Sequence, residues 1–310
     1  MRFGSGRNGG GARKVEMSEF KEYTLPVLAL VTLGECHEGM QNWLDYPAQF
    51  GLTNNDVDEL IRLAQDDELF WRDTDSLEVW AGIHAWRALA QLGDPRAIEP
   101  LIHLLLRQHP DNDFIDDWTS EDLPRVLAHF GAAAVTPLGA FLADPQHGIW
   151  PRVAASSTLE YIGLKHPETR DACVELLAQR LEKHAKQPPE LNASLIASMA
   201  ELKAVERADV MEAAFAAEDV DLSVMGDWEE VQIRLGLLTE RITPPPRYGW
   251  LGEDFSPLAQ LDRLMGRHPD TAPKDEAKAA AEAAKKETRR LQQAHNKAKK
   301  QKQKNKRKRR

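Results

Sequence analysis

Six carboxylates crowd into "HPDNDFIDDWTSEDLP", residues 109–124: Asp111, Asp113, Asp116, Asp117, Glu121 and Asp122. Clustered carboxylates are the usual donors for a hard cation such as calcium. The calcium-loop pattern nevertheless lacks its central glycine and its final bidentate glutamate here, so no metal site is expected. A solvated loop accounts for most of the segment. Thr119 or Ser120 would cap a helix beginning near Glu121, with Asp122 available for a capping box. Trp118 stands out among the acids, although a tryptophan in such a place commonly anchors a loop into the core. If the loop binds anything, Asp113, Asp116, Asp117, Trp118, Glu121 and Asp122 suit a basic patch on a protein partner better than a metal.

The opposite charge gathers at the other end. Residues 274–310 carry 16 Lys plus Arg against 4 Asp plus Glu, while the rest of the chain holds 24 basic and 45 acidic residues. An acidic body of net −21 therefore carries a tail of net +12. Lys297, Lys299, Lys300, Lys302, Lys304, Lys306, Arg307, Lys308, Arg309 and Arg310 form its densest part. Such a run engages phosphates without reading sequence, and this predicts nonspecific contact with RNA, DNA or another polyanion. No aromatic residue interleaves the lysines, so base stacking is not implied. The tail equally suits a solubilising extension, or a segment held against its own acidic body.

Other chemistry is sparse. Cys36 and Cys173 are the only cysteines and form no ligand-spaced cluster, which excludes a cysteine zinc site and a disulfide framework. No serine-hydrolase elbow, zinc-protease helix, phosphate loop or dinucleotide fingerprint occurs. "GSGRNGGG" in the leader follows no strand and opens no helix. His84, His103 and His129 fall on predicted helices with mixed neighbours and read as packing or surface residues. No cofactor and no enzymatic activity are expected.

The elements behind these residues are helices. Ala, Leu, Glu, Gln and Arg dominate, and strand-like alternation is missing. "LAQLGDPRAIEPLIHLL" aligns Leu89, Leu92, Gly93, Ala97, Ile98, Pro100, Leu101, Leu104 and Leu105. "LAHFGAAAVTPLGAFL" repeats that order with Leu127, Phe130, Gly131, Ala134, Val135, Pro137, Leu138, Phe141 and Leu142. A looser copy runs through Leu159, Ile162, Gly163, Ala172, Val174, Leu176 and Leu177. The loosest runs through Met199, Leu202, Ala208, Val210, Met211, Ala214 and Phe215. Glycines 93, 131 and 163 lie 38 and 32 residues apart, a period that suits one antiparallel helix pair per unit. Gly93 would end a helix in the left-handed conformation, Asp94 would cap the next, and Pro95 would open it. A single hairpin cannot cover its own apolar stripe, so neighbouring hairpins must stack.

"GDPRAIEPLIHLL" resembles the second half of a HEAT repeat of the phycobilisome-lyase variety, and "RVAASSTLEYIG" resembles a first helix. Residues from about 45 to 241, and "DWTSEDLPRVLAHFG" in particular, resemble an uncharacterised bacterial family with a HEAT-like core. Members often end in a cysteine-rich SEC-C module, which this chain lacks. The resemblance implies fold and almost no activity. HEAT-like deoxyhypusine hydroxylases hold two irons with several His-Glu dipeptides, whereas His37-Glu38 is the sole copy here. HEAT-like DNA glycosylases need a basic groove, which an acidic body does not offer. No chromophore pocket of a phycobilin lyase is marked.

The expected fold is therefore all-α: a HEAT-like α-solenoid of four to five stacked antiparallel helix pairs with a disordered basic tail. The expected divisions are a disordered Gly-rich leader over 1–17, an irregular helical cap over 18–74 and the repeats over 75–241. A Pro-rich segment with a short capping helix follows over 242–272, and the tail fills 273–310. The leader reads as disorder, a cloning remnant or an overlong start ahead of Met17. The apolar stretch Leu25 to Leu33 is too short for a bilayer, so a soluble cytoplasmic protein is expected, with no membrane contact. The expected function is a non-catalytic adaptor that binds a protein partner bearing a basic patch. Two alternatives stand beside it: a nucleic-acid- or ribosome-associated factor bound through the tail, and an enzyme with an unrecognised pocket.

Overall fold

Every regular element among the described residues is helical. The computed structural model describes residues 22–37, 39–107 and 113–244, and of 113–116 the backbone. By internal contacts the chain divides into Met1–Leu258 and Ala259–Arg310, and the described residues belong to the first unit. The leader 1–17, most of the segment 242–272 and the tail 273–310 lie outside the described residues.

The described residues begin with a short 3-10 helix at Val27–Thr32, whose Val27, Leu30 and Val31 are buried. Three short helices follow: α1 Tyr46–Phe50, α2 Val57–Ala64 and α3 Asp67–Phe70. Asp45 and Asp66 cap α1 and α3 by accepting from backbone N–H groups. Helix α4, Ala81–Leu92, is buried on all sides from Ala81 to Ala90. Ile83, Trp86 and Leu89 are fully inaccessible there, each contributing about 1.5–3 kcal/mol by burial. Gly82 lets α4 approach Phe70 of α3 closely, since a Cβ on Gly82 would sit 2.1 Å from the ring.

The remaining helices form two packed rows. They are α5 Ile98–Leu104, α6 Asp113–Leu127, α7 Ala132–Ala143, α8 Ile149–Lys165, α9 Arg170–Leu181, α10 Pro189–Glu201, α11 Ala208–Ala216, α12 Leu222–Met225 and α13 Trp228–Leu235. One row runs α4, α6, α8, α10 and on to α13, each helix packing on the next. The other runs α5, α7, α9, α11 in the same manner. Helix α8 touches α6 and α10 within its row, and α7 and α9 across it.

The hinge between α4 and α5 follows the chemistry its residues dictate. Gly93 is left-handed at φ 68°, Asp94 accepts from the Arg96 N–H, and Pro95 opens a short 3-10 turn ahead of α5. Two other glycines act differently from their place in the expected period. Gly131 starts α7 at φ 53°, ψ −133°, beneath the His166 ring. Gly163 lies inside α8, where a Cβ would meet Leu202 at 2.7 Å, and the turn comes only at His166. Its small size, rather than its backbone freedom, is what that position uses.

The acidic segment also departs from expectation. Instead of a loop with a helix beginning at Glu121, α6 runs unbroken from Asp113 and tolerates Pro124 within it. Thr119, Asp122, Leu123, Val126 and Leu127 are buried at helical spacing. That burial outweighs the turn-forming character of the aspartates and serines.

Candidate functional site

Most polar groups that could do chemistry converge where the segment 33–45 crosses α4. Helix α4 is apolar on nearly every side, yet His84, Arg87 and Gln91 form one polar stripe at spacings of three and four. Each side chain of the stripe donates to a main-chain carbonyl of that segment. His84 Nε2 lies 2.9 Å from the Gly34 oxygen, Arg87 Nη2 3.1 Å from that of His37, and Gln91 Nε2 2.7 Å from that of Leu44. Gln91 also accepts from the Tyr46 N–H at 2.9 Å. The carbonyls of Gly34, His37 and Leu44 are thus satisfied by helix side chains rather than by a ladder.

Arg87 is the centre of this junction. Its side chain is 1% exposed and pairs with Asp122 of α6 at 2.8 Å. The same carboxylate accepts from Arg87 Nε and from the Trp86 indole, both at 2.9 Å. Trp43 and Trp118 each place a ring 5.2 Å from the guanidinium. The hydrogen bonds and charge of Asp122 hold the guanidinium above its ordinary pKa, against the desolvation that would lower it. Trp118 packs edge-on against Trp80 at 5.5 Å, and Trp43 stacks on His129 at 5.0 Å.

Beside it lies a thiol, an imidazole and a phenol. A carbonyl can only accept, so His84 Nε2 carries the proton toward Gly34 and Nδ1 accepts from the Tyr46 hydroxyl at 2.7 Å. Burial drives the His84 pKa down to about 4, which keeps the ring neutral. Cys36 Sγ lies 3.5 Å from Nδ1 and 3.4 Å from Nε2. A hydrogen bond along one nitrogen's lone pair would leave the other nitrogen farther away. Near-equal distances instead put the sulfur against the ring face. Burial raises the Cys36 thiol and the Tyr46 phenol well above their usual ranges. The trio has the residue types of a nucleophile and its base. Its geometry leaves the thiol protonated and both ring nitrogens already engaged, which is the opposite of an activated cysteine.

The residues singled out in the sequence disperse. Asp113 and Asp116 lie on the first turn of α6, where only the backbone is described. Asp117 and Glu121 are exposed, Trp118 is half-buried against Trp80 and Arg87, and Asp122 is buried in its ion pair. The six therefore do not form one loop surface. The cations Lys297 to Arg310 lie outside the described residues, as does Glu38. His103 bonds the Glu99 carbonyl and His129 that of Arg125, both one turn back on their own helices. Among the described residues no group of three His, Cys, Asp or Glu is placed to hold a metal ion.

What sequence reasoning missed is the role of His84 and Gln91. The available signal was a polar stripe on a helix otherwise apolar all round, which has to be covered by another part of the chain.

A second surface lies along the row itself. Helix α8 packs on four helices and leaves a strip of half-buried residues at a spacing of four, Ile149, Val153, Ser157 and Tyr161, with exposed Trp150 at its start and exposed Leu164 and Lys165 at its end. The Arg125 guanidinium of α6 covers the Tyr161 ring at 5.3 Å. On α10 the corresponding positions are Ala197 and Glu201, the latter paired with Arg234 of α13. No helix among the described residues is long and apolar enough to cross a membrane.

The model of a family described as "Protein of unknown function (DUF1186)" matches residues 56–242. No curated protein and no solved structure matches the chain.

Proposed function

We propose that this chain, which belongs to the DUF1186 family, is a non-catalytic adaptor built as a HEAT-like solenoid. The two helix rows support the solenoid reading, since each helix packs on its row neighbours and on helices of the facing row, as stacked hairpins do. The observation that carries the function is the division of labour between the two surfaces. The groups capable of chemistry around Arg87 and His84 point at one another or at main-chain carbonyls. The stripe on α8 instead faces solvent with small and apolar side chains between two close helices. A surface of that kind accepts a polypeptide along the row.

The basic tail adds contact with polyanions, and both cysteines are free thiols, which suits a reducing cytoplasm. The alternative of a nucleic-acid- or ribosome-associated factor rests on that tail alone.

Photo-crosslinking separates these readings. A photoreactive residue at Ser157 on the α8 stripe should capture a protein partner that survives nuclease treatment. One at Ala140, on the exposed side of α7, should not. Capture only through the tail, abolished by nuclease, would favour the nucleic-acid alternative and overturn the adaptor reading.

A further inference from the structure

The charges along the α8 stripe narrow the kind of partner, an inference that rests on the adaptor reading above. The body is strongly acidic, and most of its described arginines are held by carboxylates. Arg96 pairs with Asp58 and Asp94, Arg170 with Asp171 and Glu206, Arg207 with Glu175, and Arg241 with Asp227 and Glu230. Two cations beside the stripe have no such partner. Arg125 donates to the Glu121 carbonyl and lies over Tyr161, and Lys165 stands exposed in the last turn of α8. Among the described residues neither forms an ion pair with a carboxylate.

Helix position explains how the fold tolerates them. Both lie in the last turn of their helices, where the macrodipole supplies roughly half a negative charge at each end. That offsets a full positive charge only in part, so Arg125 and Lys165 keep positive charge at the α6–α8 end of the stripe, with exposed Glu121 one turn before the first and exposed Glu168 three residues after the second. Toward α10 the stripe is neutral, because Glu201 is matched by Arg234. Between lie Val153, Ser157 and Ala197, small or apolar and partly open to solvent.

We infer that the stripe from Arg125 and Lys165 across Val153 and Ser157 docks a partner polypeptide segment that pairs acidic side chains with aliphatic ones. The acids meet Arg125 and Lys165, and the aliphatic side chains lie along α8 toward Ala197. A nucleic acid fits less well. Its phosphates continue at even spacing, whereas Arg125 and Lys165 both lie at the α6–α8 end of the stripe. One face of the Tyr161 ring is covered by Arg125, and the exposed indole of α8, Trp150, lies in its first turn, at the opposite end of the helix from Lys165.

The test uses the full-length chain with Ser157→Cys carrying an environment-sensitive dye, since native Cys36 and Cys173 are buried. The probes are a short peptide of alternating Glu-Glu and Leu-Leu pairs, its Lys-Lys and Leu-Leu counterpart, and a short single-stranded RNA. The expected result is a dye response to the Glu/Leu peptide alone. Lys165→Glu should weaken that response about tenfold, and Arg125→Gln should weaken it in the same direction. Lys186→Glu, exposed beyond the end of α9, should leave it unchanged, which shows that the loss at Lys165 is not a general effect of added negative charge. A response only to the Lys/Leu peptide would overturn the acidic partner while leaving the adaptor reading standing. A response to RNA, none to either peptide, or a Glu/Leu response indifferent to Lys165→Glu would overturn the inference.

Discussion

Removing the Asp122 carboxylate tests whether the Arg87 junction holds the fold together. In the native protein that carboxylate accepts three hydrogen bonds, from Trp86 Nε1 and from Arg87 Nε and Nη2, at 2.8–2.9 Å. In Asp122→Ala the guanidinium stays buried, with the His37 carbonyl and two indole faces as its remaining company. Leaving one member of a buried ion pair uncompensated costs about 3–5 kcal/mol. That is a large share of the roughly 5–15 kcal/mol that holds a folded protein. Trp86→Phe removes only one neutral donor and should cost about 1 kcal/mol. Arg87→Met combined with Asp122→Leu removes both charges and should recover much of the loss, because similar-sized apolar side chains often replace such pairs well. Urea unfolding followed by tryptophan fluorescence measures all three, provided the denaturant dependence m stays constant. A loss below about 1 kcal/mol for Asp122→Ala, or a double variant no more stable than that single one, would refute the reasoning.

Three further outcomes follow from the same packing. Gly82→Ala should destabilise by about 1–3 kcal/mol through its clash with Phe70, although alanine is the better helix former by about 1 kcal/mol, and thermal unfolding reads the sign. His84 has its pKa lowered to about 4, so the unfolded chain takes up a proton first as pH falls below the ordinary histidine value. Stability from this group is complete at neutral pH and declines between about pH 6.5 and 4, by about 2 kcal/mol on passing from pH 7 to pH 5. His84→Gln should show a correspondingly shallower decline in urea titrations at the two pH values. Finally, Cys173 is pushed up to about 11 and Cys36 is raised further by burial, so both thiols should react with a disulfide reagent far more slowly in the native protein than in urea. Rapid labelling of either native thiol would contradict their placement.

Sequence alone determined the helical class and the best hinge. Leucine spacing on either side of Gly93-Asp94-Pro95 left few ways to fold, and the observed left-handed glycine and aspartate cap follow from local chemistry. Local signals misled where burial competed with propensity. Asp-Asp-Trp-Thr-Ser reads as a loop because its side chains favour turns, yet α6 absorbs it by burying Thr119 and Asp122. Gly163 reads as a hinge because glycine usually ends helices, yet it continues α8 to make room for Leu202.

The candidate site was the least legible part. His84, Arg87 and Gln91 lie on one helix and their spacing can be read, but their partners are carbonyls 47–50 residues earlier in the chain. Backbone carbonyls carry no residue identity, so no pattern in the sequence marks them as ligands. The same holds for Arg87 and Asp122, 35 residues apart on neighbouring helices of one row. Composition determined that this chain is an acidic helical body with a basic tail. Only the stacking of α4, α6, α8 and α10 decided which charges are buried against each other and which cations, Arg125 and Lys165 among them, form no ion pair with a carboxylate among the described residues. That choice depends on which helix faces which, and spacing within a single helix does not encode it.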